Sequence, residues 1–215
     1  MNYERLYSYR FRNIDQAARL RVWKEIAPHV HGLMGSPQVV LDPAAGRGEF
    51  IGSIRAAERW AVDEVAYQDA EQTAGVTVVT SRIMDADLPA SHFDGVFASN
   101  FLEHLYDQEA IAAFLEKMRD AMERGGRIAI MGPNYRYCSK EYWDCADHYV
   151  ALTHVAIDEH LYAAGFEIER TIPRYLPYSF RGILPPSPAL TKMYLQTPLA
   201  WKLLGKQFLV IGRKP

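Results

Sequence analysis

The stretch Val39-Val40-Leu41-Asp42-Pro43-Ala44-Ala45-Gly46-Arg47-Gly48-Glu49-Phe50 constrains this chain most. Val39, Val40 and Leu41 read as a buried strand. Asp42 ends it, and a turn of small residues follows. Phe50, Ile51 and Ile54 then predict a helix that ends near Ala57. A strand, a glycine turn and a helix start bring backbone N–H groups close to a nucleotide-like ligand. Gly46 and Gly48 lack a Cβ, so the chain can turn with positive φ and the ligand can touch main chain.

The rest of the chain alternates in the same way. A helix is expected over about residues 13–29, capped by Asn13 or Asp15 and stopped by Pro28. Further strands are expected at Trp60–Val62, Val76–Thr80, Phe93–Ala98, Arg127–Met131, Phe166–Ile172 and Gln207–Gly212. Ile111, Phe114, Leu115 and Met118 line a helix that ends at Gly125-Gly126, and Ile157–Ala164 is another. Strands alternating with helices imply an α/β fold, with a mostly parallel sheet and helices on both faces. The expected organisation is one domain. It has a helical lid segment (1–37), a ligand-binding core (38–172), an apolar Pro-rich insertion (173–206) and a final strand (207–215).

A net charge of -2 argues against a nucleic-acid partner. No apolar run approaches the ~20 residues needed to span a bilayer. Cys138 and Cys145 match no zinc or redox spacing and are expected as reduced thiols in a cytoplasmic protein.

What is absent narrows the ligand. A dinucleotide site wants G-x-G-x-x-G, but Ile51 stands where the third glycine belongs. A P-loop wants Lys and Ser or Thr after its last glycine, and Glu49 and Phe50 stand there instead. A carboxylate at that point repels phosphate. S-adenosylmethionine has no phosphate, and carboxylates suit its cationic, zwitterionic end.

At these residues the chain resembles the class I S-adenosylmethionine-dependent methyltransferases. Asp42–Gly48 is similar to the family's D-x-G-x-G-x-G motif, with Ala44 replacing the first glycine. Asp63 is similar to the acid that grips the ribose hydroxyls. Asp85-Ala86-Asp87-Leu88-Pro89 resembles the loop whose Asp meets the adenine amino group. Phe93–Leu105, which contains Ser99 and Asn100, resembles the fourth motif and the helix behind it. The resemblance implies S-adenosylmethionine held by Asp42, Ala44, Gly46, Gly48, Asp63, Asp85, Ala86, Ser99 and Asn100. It also implies a Rossmann-like doubly wound sheet of seven strands whose last strand is antiparallel.

The acceptor is read from Tyr135–His148. Methyl transfer to a hydroxyl benefits from a general base, and Asp147-His148 places a histidine beside a carboxylate. Tyr135, Tyr142 and Trp143 could form a stacking wall or a hydrophobic cluster. Asp144, Asp147 and His148 could also ligate a metal, but no metal site is expected. Glu103 and His104 are expected at a helix start, with a capping or packing role for His104. Arg10, Arg12 and Arg19 read as a solvated face, with an anionic substrate group as the alternative. The insertion carries Phe180, Ile183, Leu184 and Trp201, with Arg181, Lys192 and Lys202 among them. It could be a lid, a dimer contact or a peripheral membrane surface.

Gly132–Tyr135, Tyr142–Asp144, Asp147-His148 and Arg174–Tyr178 are also similar to small bacterial methyltransferases of glycan biosynthesis. That implies O- or N-methylation of a small-molecule or glycan acceptor. Two alternatives stay open: a non-catalytic methyltransferase-like binding domain, and an NAD-dependent oxidoreductase.

Overall fold

The computed structural model describes residues 2–65, 73–178 and 187–215. Seven strands form one sheet: β1 (Val39–Asp42), β2 (Glu58–Asp63), β3 (Thr77–Thr80), β4 (Phe93–Ser99), β5 (Met122–Pro133), β6 (Glu167–Ile172) and β7 (Gln207–Arg213). Their spatial order is β3-β2-β1-β4-β5-β7-β6. Strands β1 to β5 pair in parallel. The last strand, β7, runs antiparallel to both β5 and β6. The order turns back between β1 and β4, which opens a crevice at the carboxyl ends of the strands.

Period-two alternation splits each central strand between two cores. Leu41, Val96, Ala98, Ile128 and Ile130 face one layer. That layer is closed by α3 (Gln108–Ala121) and α5 (His154–Ala163), through Ile111, Phe114, Leu115, Ile157 and Leu161. Val40, Phe97, Ala129 and Met131 face the other layer, against α2 (Gln16–Leu33) and its Val22, Trp23, Ile26 and Val30. Side-chain caps start these helices: Asp15 accepts from Ala18 N–H at 3.0 Å, Asp107 from Ala110 at 2.8 Å and Thr153 from Ala156 at 3.2 Å.

Besides the end of α3, which comes at Ala121 and leaves Gly125-Gly126 within β5, two local expectations are corrected. Pro28 does not stop α2, which continues to Leu33. Pro28 and Lys24 are both exposed, so water can meet the Lys24 carbonyl that Pro28 leaves without a donor. Beyond them, Val30 and His31 are buried, and the His31 ring binds the Pro37 carbonyl at 2.8 Å. That packing outweighs the roughly 3 kcal/mol cost of an interior proline. The second correction is that residues 49–53 form successive turns, not a helix. Gly52 N–H reaches Gly48 O at 2.8 Å and Ser53 N–H reaches Phe50 O at 2.9 Å, but Gly48, Gly52 and Ser53 are poor helix formers. Phe50, Ile51 and Ile54 still bury themselves in the core.

The remaining helices are α1 (Tyr3–Arg10), α4 (Tyr135–Tyr142), α6 (Pro188–Leu195) and α7 (Pro198–Leu204). The Tyr194 hydroxyl donates to Tyr175 O at 2.7 Å, and Trp201 Nε1 donates to Tyr194 O at 2.8 Å. Leu195 is buried there, whereas Met193, Leu199, Leu203 and Leu204 are exposed. Phe180, Arg181, Ile183 and Leu184 lie outside the described residues. Among the described residues, no helix is long and apolar enough to cross a membrane.

Candidate active site

Strands β1, β2, β4 and β5 deliver Asp42, Asp63, Ser99 and Pro133 to the same edge of the sheet. Asp42 is buried and accepts from Ala44 N–H at 3.4 Å. Burial pushes its carboxyl well above the usual carboxylate range, and the charges of Asp63 and Glu49 push the same way. Gly46 and Gly48 hold φ of +54° and +79°, which favours glycine at both positions. A Cβ on Gly46 would meet nothing within 4 Å, so the main chain is open to a ligand on that side. Ala44 is not among the residues with positive φ, so its methyl group adds no backbone strain to the turn.

Asp63 ties the two strand ends together. One carboxylate oxygen accepts from Gly46 N–H at 2.7 Å and the other from Val65 N–H at 3.0 Å. Burial raises its pKa, and these two bonds oppose the rise. Each oxygen keeps a second lone pair for a ligand hydroxyl. Glu49 has a different role from the one expected. Arg19 meets it at 2.7 Å, so its charge pins the turn to α2. The carboxyl groups that face the turn itself are therefore Asp42 and Asp63.

Asp85 is exposed on the β3–β4 loop, beside the buried Ala86. Lys117 Nζ holds that loop through the carbonyls of Met84 and Ala86, at 2.9 and 2.7 Å. Asn100 has φ +49°, an uncommon conformation outside glycine. Its backbone N–H donates to Met131 O at 2.8 Å, and its side chain donates to Ser99 Oγ at 2.9 Å. The left-handed turn holds Ser99 and Asn100 at the crevice mouth.

Asn134 begins the other side of the crevice. It caps α4 through Arg136 N–H and donates to Pro173 O at 2.8 Å. Tyr142 is fully buried; its hydroxyl donates to Val150 O at 2.6 Å and accepts from Leu152 N–H at 3.2 Å. It props the wall from behind and presents no face to an acceptor. Trp143 is half exposed at 49%, with the Tyr135 ring 6.2 Å away, so these two offer the aromatic surface.

Asp147 does not orient His148. The Asp147 carboxylate pairs with Arg10 of α1 and lies 3.3 Å from His104 Nδ1. Burial pushes the Asp147 carboxyl up, but the Arg10 bond and the charges of His104 and Arg10 outweigh it and hold it below the usual range. His148 is buried, and its Nδ1 has no hydrogen-bond partner. Burial, with His104 second, pulls its imidazole down to about 4. The ring is therefore neutral at physiological pH and keeps a lone pair. Asp144 is exposed, so the set Asp144, Asp147 and His148 is not brought together as ligands.

One contributor, Tyr7, left no local sign in the sequence. Tyr7 on α1 feels the charges of both Asp147 and Asp63, which raise its pKa after burial. The ion pair of Arg10 with Asp147 fastens α1 against the acceptor side of the crevice. Arg10 and Arg19 lie in ion pairs, not on a solvated face. Arg12 stacks on Tyr9, with the guanidinium 3.7 Å from the ring centroid. Glu103 and His104 lie on a 3₁₀ turn, Leu102–His104, with Glu103 buried.

Residues 41–130 match the family model described as a methyltransferase domain. The fold is also that of solved methyltransferases. A S-adenosylmethionine-dependent methyltransferase from Archaeoglobus fulgidus superposes with a TM-score of 0.68 at 19% identity, over 99% of this chain and 100% of that one. The N-methyltransferase NodS from Bradyrhizobium japonicum WM9, in complex with S-adenosyl-l-homocysteine, gives 0.62 at 11% identity over 87% and 84%. The [4+2]-cyclase SpnF gives 0.61 at 16% identity over 89% and 80%. No curated protein matches the chain. The chain therefore has the fold of S-adenosylmethionine-dependent methyltransferases, and its central part resembles a methyltransferase domain. The open glycine turn beside the buried Asp42 and the partly buried Asp63 fits S-adenosylmethionine.

Proposed function

We propose that this protein transfers a methyl group from S-adenosylmethionine to an oxygen or nitrogen of a small-molecule acceptor. When bound, the cofactor supplies an electrophilic methyl group on a sulfonium. The protein's own residues bind and position. Asp63 accepts from the ribose hydroxyls with its remaining lone pairs, and Gly46 lets the ligand lie against main chain. Asp42 holds the cationic end, where a positive charge offsets the cost of its burial. Ser99 and Asn100 line the methionine side, and Asp85 and Ala86 meet the adenine. The observation that carries this reading is the carboxylate-lined glycine turn at the switch point, bridged by the Asp63–Gly46 bond.

On the acceptor side, Tyr135 and Trp143 provide aromatic faces of the kind that stack on a sugar ring, which supports a glycan-type acceptor. Catalysis rests mainly on placing the acceptor atom near the methyl group. Calorimetric titration with S-adenosylhomocysteine and with NAD tests the cofactor assignment; binding of NAD alone overturns it. An isotope-labelled methyl assay on amino and hydroxyl sugars, set against simple amines, tests the acceptor class.

A second reading is favoured by one neighbour. SpnF shares the fold and is described as a [4+2]-cyclase, so the fold does not require methyl transfer. Binding of S-adenosylhomocysteine with no transfer to any acceptor would favour a domain that binds the cofactor without using its methyl group.

A further inference from the structure

We propose that Glu103, His104 and His148 form a binding site for a divalent transition-metal ion. Each offers one ligand atom, and the three atoms lie within 4.8 Å of one another. Ligands about 2.1 Å from an ion sit roughly 3 to 4 Å apart, so small side-chain rotations close the site. Two imidazoles and one carboxylate favour a borderline transition ion over magnesium or calcium, which prefer all-oxygen shells. Three protein ligands also leave coordination positions open for an acceptor oxygen or nitrogen.

The surroundings are built for this. His104 Nδ1 lies 2.8 Å from the backbone carbonyl of Asp147. A carbonyl can only accept, so Nδ1 donates to it, and Nε2 is the ring nitrogen left to meet an ion. An outer-shell carbonyl that fixes the tautomer is a recurring device of metal-bound histidines. His148 Nδ1 is a buried polar atom with no hydrogen-bond partner, which is costly unless something meets it. The two imidazole rings lie 4.9 Å apart at 69°, so neither stacks over the other. Tyr149 N–H donates to Glu103 O at 2.9 Å, fastening the two ligand-bearing segments together. Both segments follow strand ends, β4 for Glu103-His104 and β5 for His148, on the crevice side of the sheet. The sequence hid this set because its members are split between two segments, whereas Asp144, Asp147 and His148 were adjacent and misleading.

As an anchor for the acceptor, the site rests on the methyl-transfer reading and deepens it; as a metal site, it is tested separately. The test uses the full chain, stripped with a chelator and titrated with Co²⁺ as a spectroscopic probe. Stoichiometric uptake with visible d–d bands is expected, reversed by Zn²⁺. Glu103→Gln and His148→Gln should each weaken Co²⁺ binding by at least about a hundredfold, beyond the 10- to 100-fold cost of losing an outer-shell partner. His160→Ala, on the exposed end of α5, should not change it. S-adenosylhomocysteine affinity, measured on every variant, reports folding and the cofactor reading separately. Failure of the wild-type chain to bind Co²⁺, or unchanged binding in both variants, overturns the metal site whatever the cofactor result. Normal Co²⁺ binding without S-adenosylhomocysteine binding overturns the cofactor reading alone.

Discussion

The two walls of the crevice are made in different ways. The cofactor wall comes from neighbouring strand ends, with Asp42, Gly46 and Asp63 held together by backbone bonds over a short span of chain. The acceptor wall is gathered from afar. Arg10 meets Asp147 across 137 residues of sequence, and His104 reaches the Asp147 carbonyl across 43. The contrast teaches that the first wall is set by the sheet, whereas the second depends on ion pairs between loops and α1. Changes in the first should therefore disturb binding with little effect on stability, and changes in the second should do the reverse.

The largest expected effect breaks the acceptor wall. Asp147→Ala leaves Arg10 without its carboxylate in a mostly buried setting, and urea unfolding should show a loss of about 3 kcal/mol. A loss below about 1 kcal/mol would mean that α1 is held by other contacts. Next, Asp63→Ala should weaken S-adenosylhomocysteine binding by roughly 2 kcal/mol, about 30-fold, while the urea midpoint shifts little. An unchanged affinity in calorimetry would move the ribose elsewhere. Tyr142→Phe removes a hydroxyl that serves Val150 and Leu152, so stability should fall by about 1–2 kcal/mol with cofactor affinity intact. A change in cofactor affinity instead would join the two walls that the structure separates.

The smallest effect lies outside both walls. The His29 ring is 2.7 Å from the Tyr175 hydroxyl and stacks on the Tyr175 ring, and burial lowers its pKa. Unfolded histidine titrates near 6.5, so above that pH both states are neutral and this stability is fully present. As pH falls below 6.5, the unfolded chain takes up a proton before the folded one, and stability declines until the folded pKa is passed. His154 and His160 shift the same way. Unfolding followed from pH 7.5 to pH 5 should thus show a downward slope that His29→Gln reduces but does not abolish. An unaltered slope would remove His29 from the account.

The same contrast explains what could be read from the sequence. Apolar residues marked all seven strands within a few positions: β1, β2, β4, β5 and β7 bury side chains, whereas β3 and β6 are edge strands with no fully buried residue. Asp42 and Asp63 were visible because glycine spacing and strand ends are local signals. Ion pairs between distant segments leave no periodic trace, so Arg10, Arg19 and Glu49 were misjudged. Asp147 and His148 invited pairing because they are adjacent, yet adjacent side chains often point apart. Tyr142 and Trp143 look equivalent in sequence, but the end of α4 turns one into the core and the other into solvent. The helix expected after the glycine turn failed because its apolar residues were right and its backbone formers were wrong.

The position of β7 has a consequence for how the chain is made. It comes last in sequence of the seven strands of the sheet, yet it sits between β5 and β6 and supplies the hydrogen bonds that join them. Until residues 207–213 leave the ribosome, β5 has an open edge and β6 has no place in the sheet. The nascent protein therefore completes its cofactor half early and carries an exposed strand edge through the rest of translation. A stop codon placed before Gln207 should yield an aggregating product, although every residue discussed at the crevice would still be present.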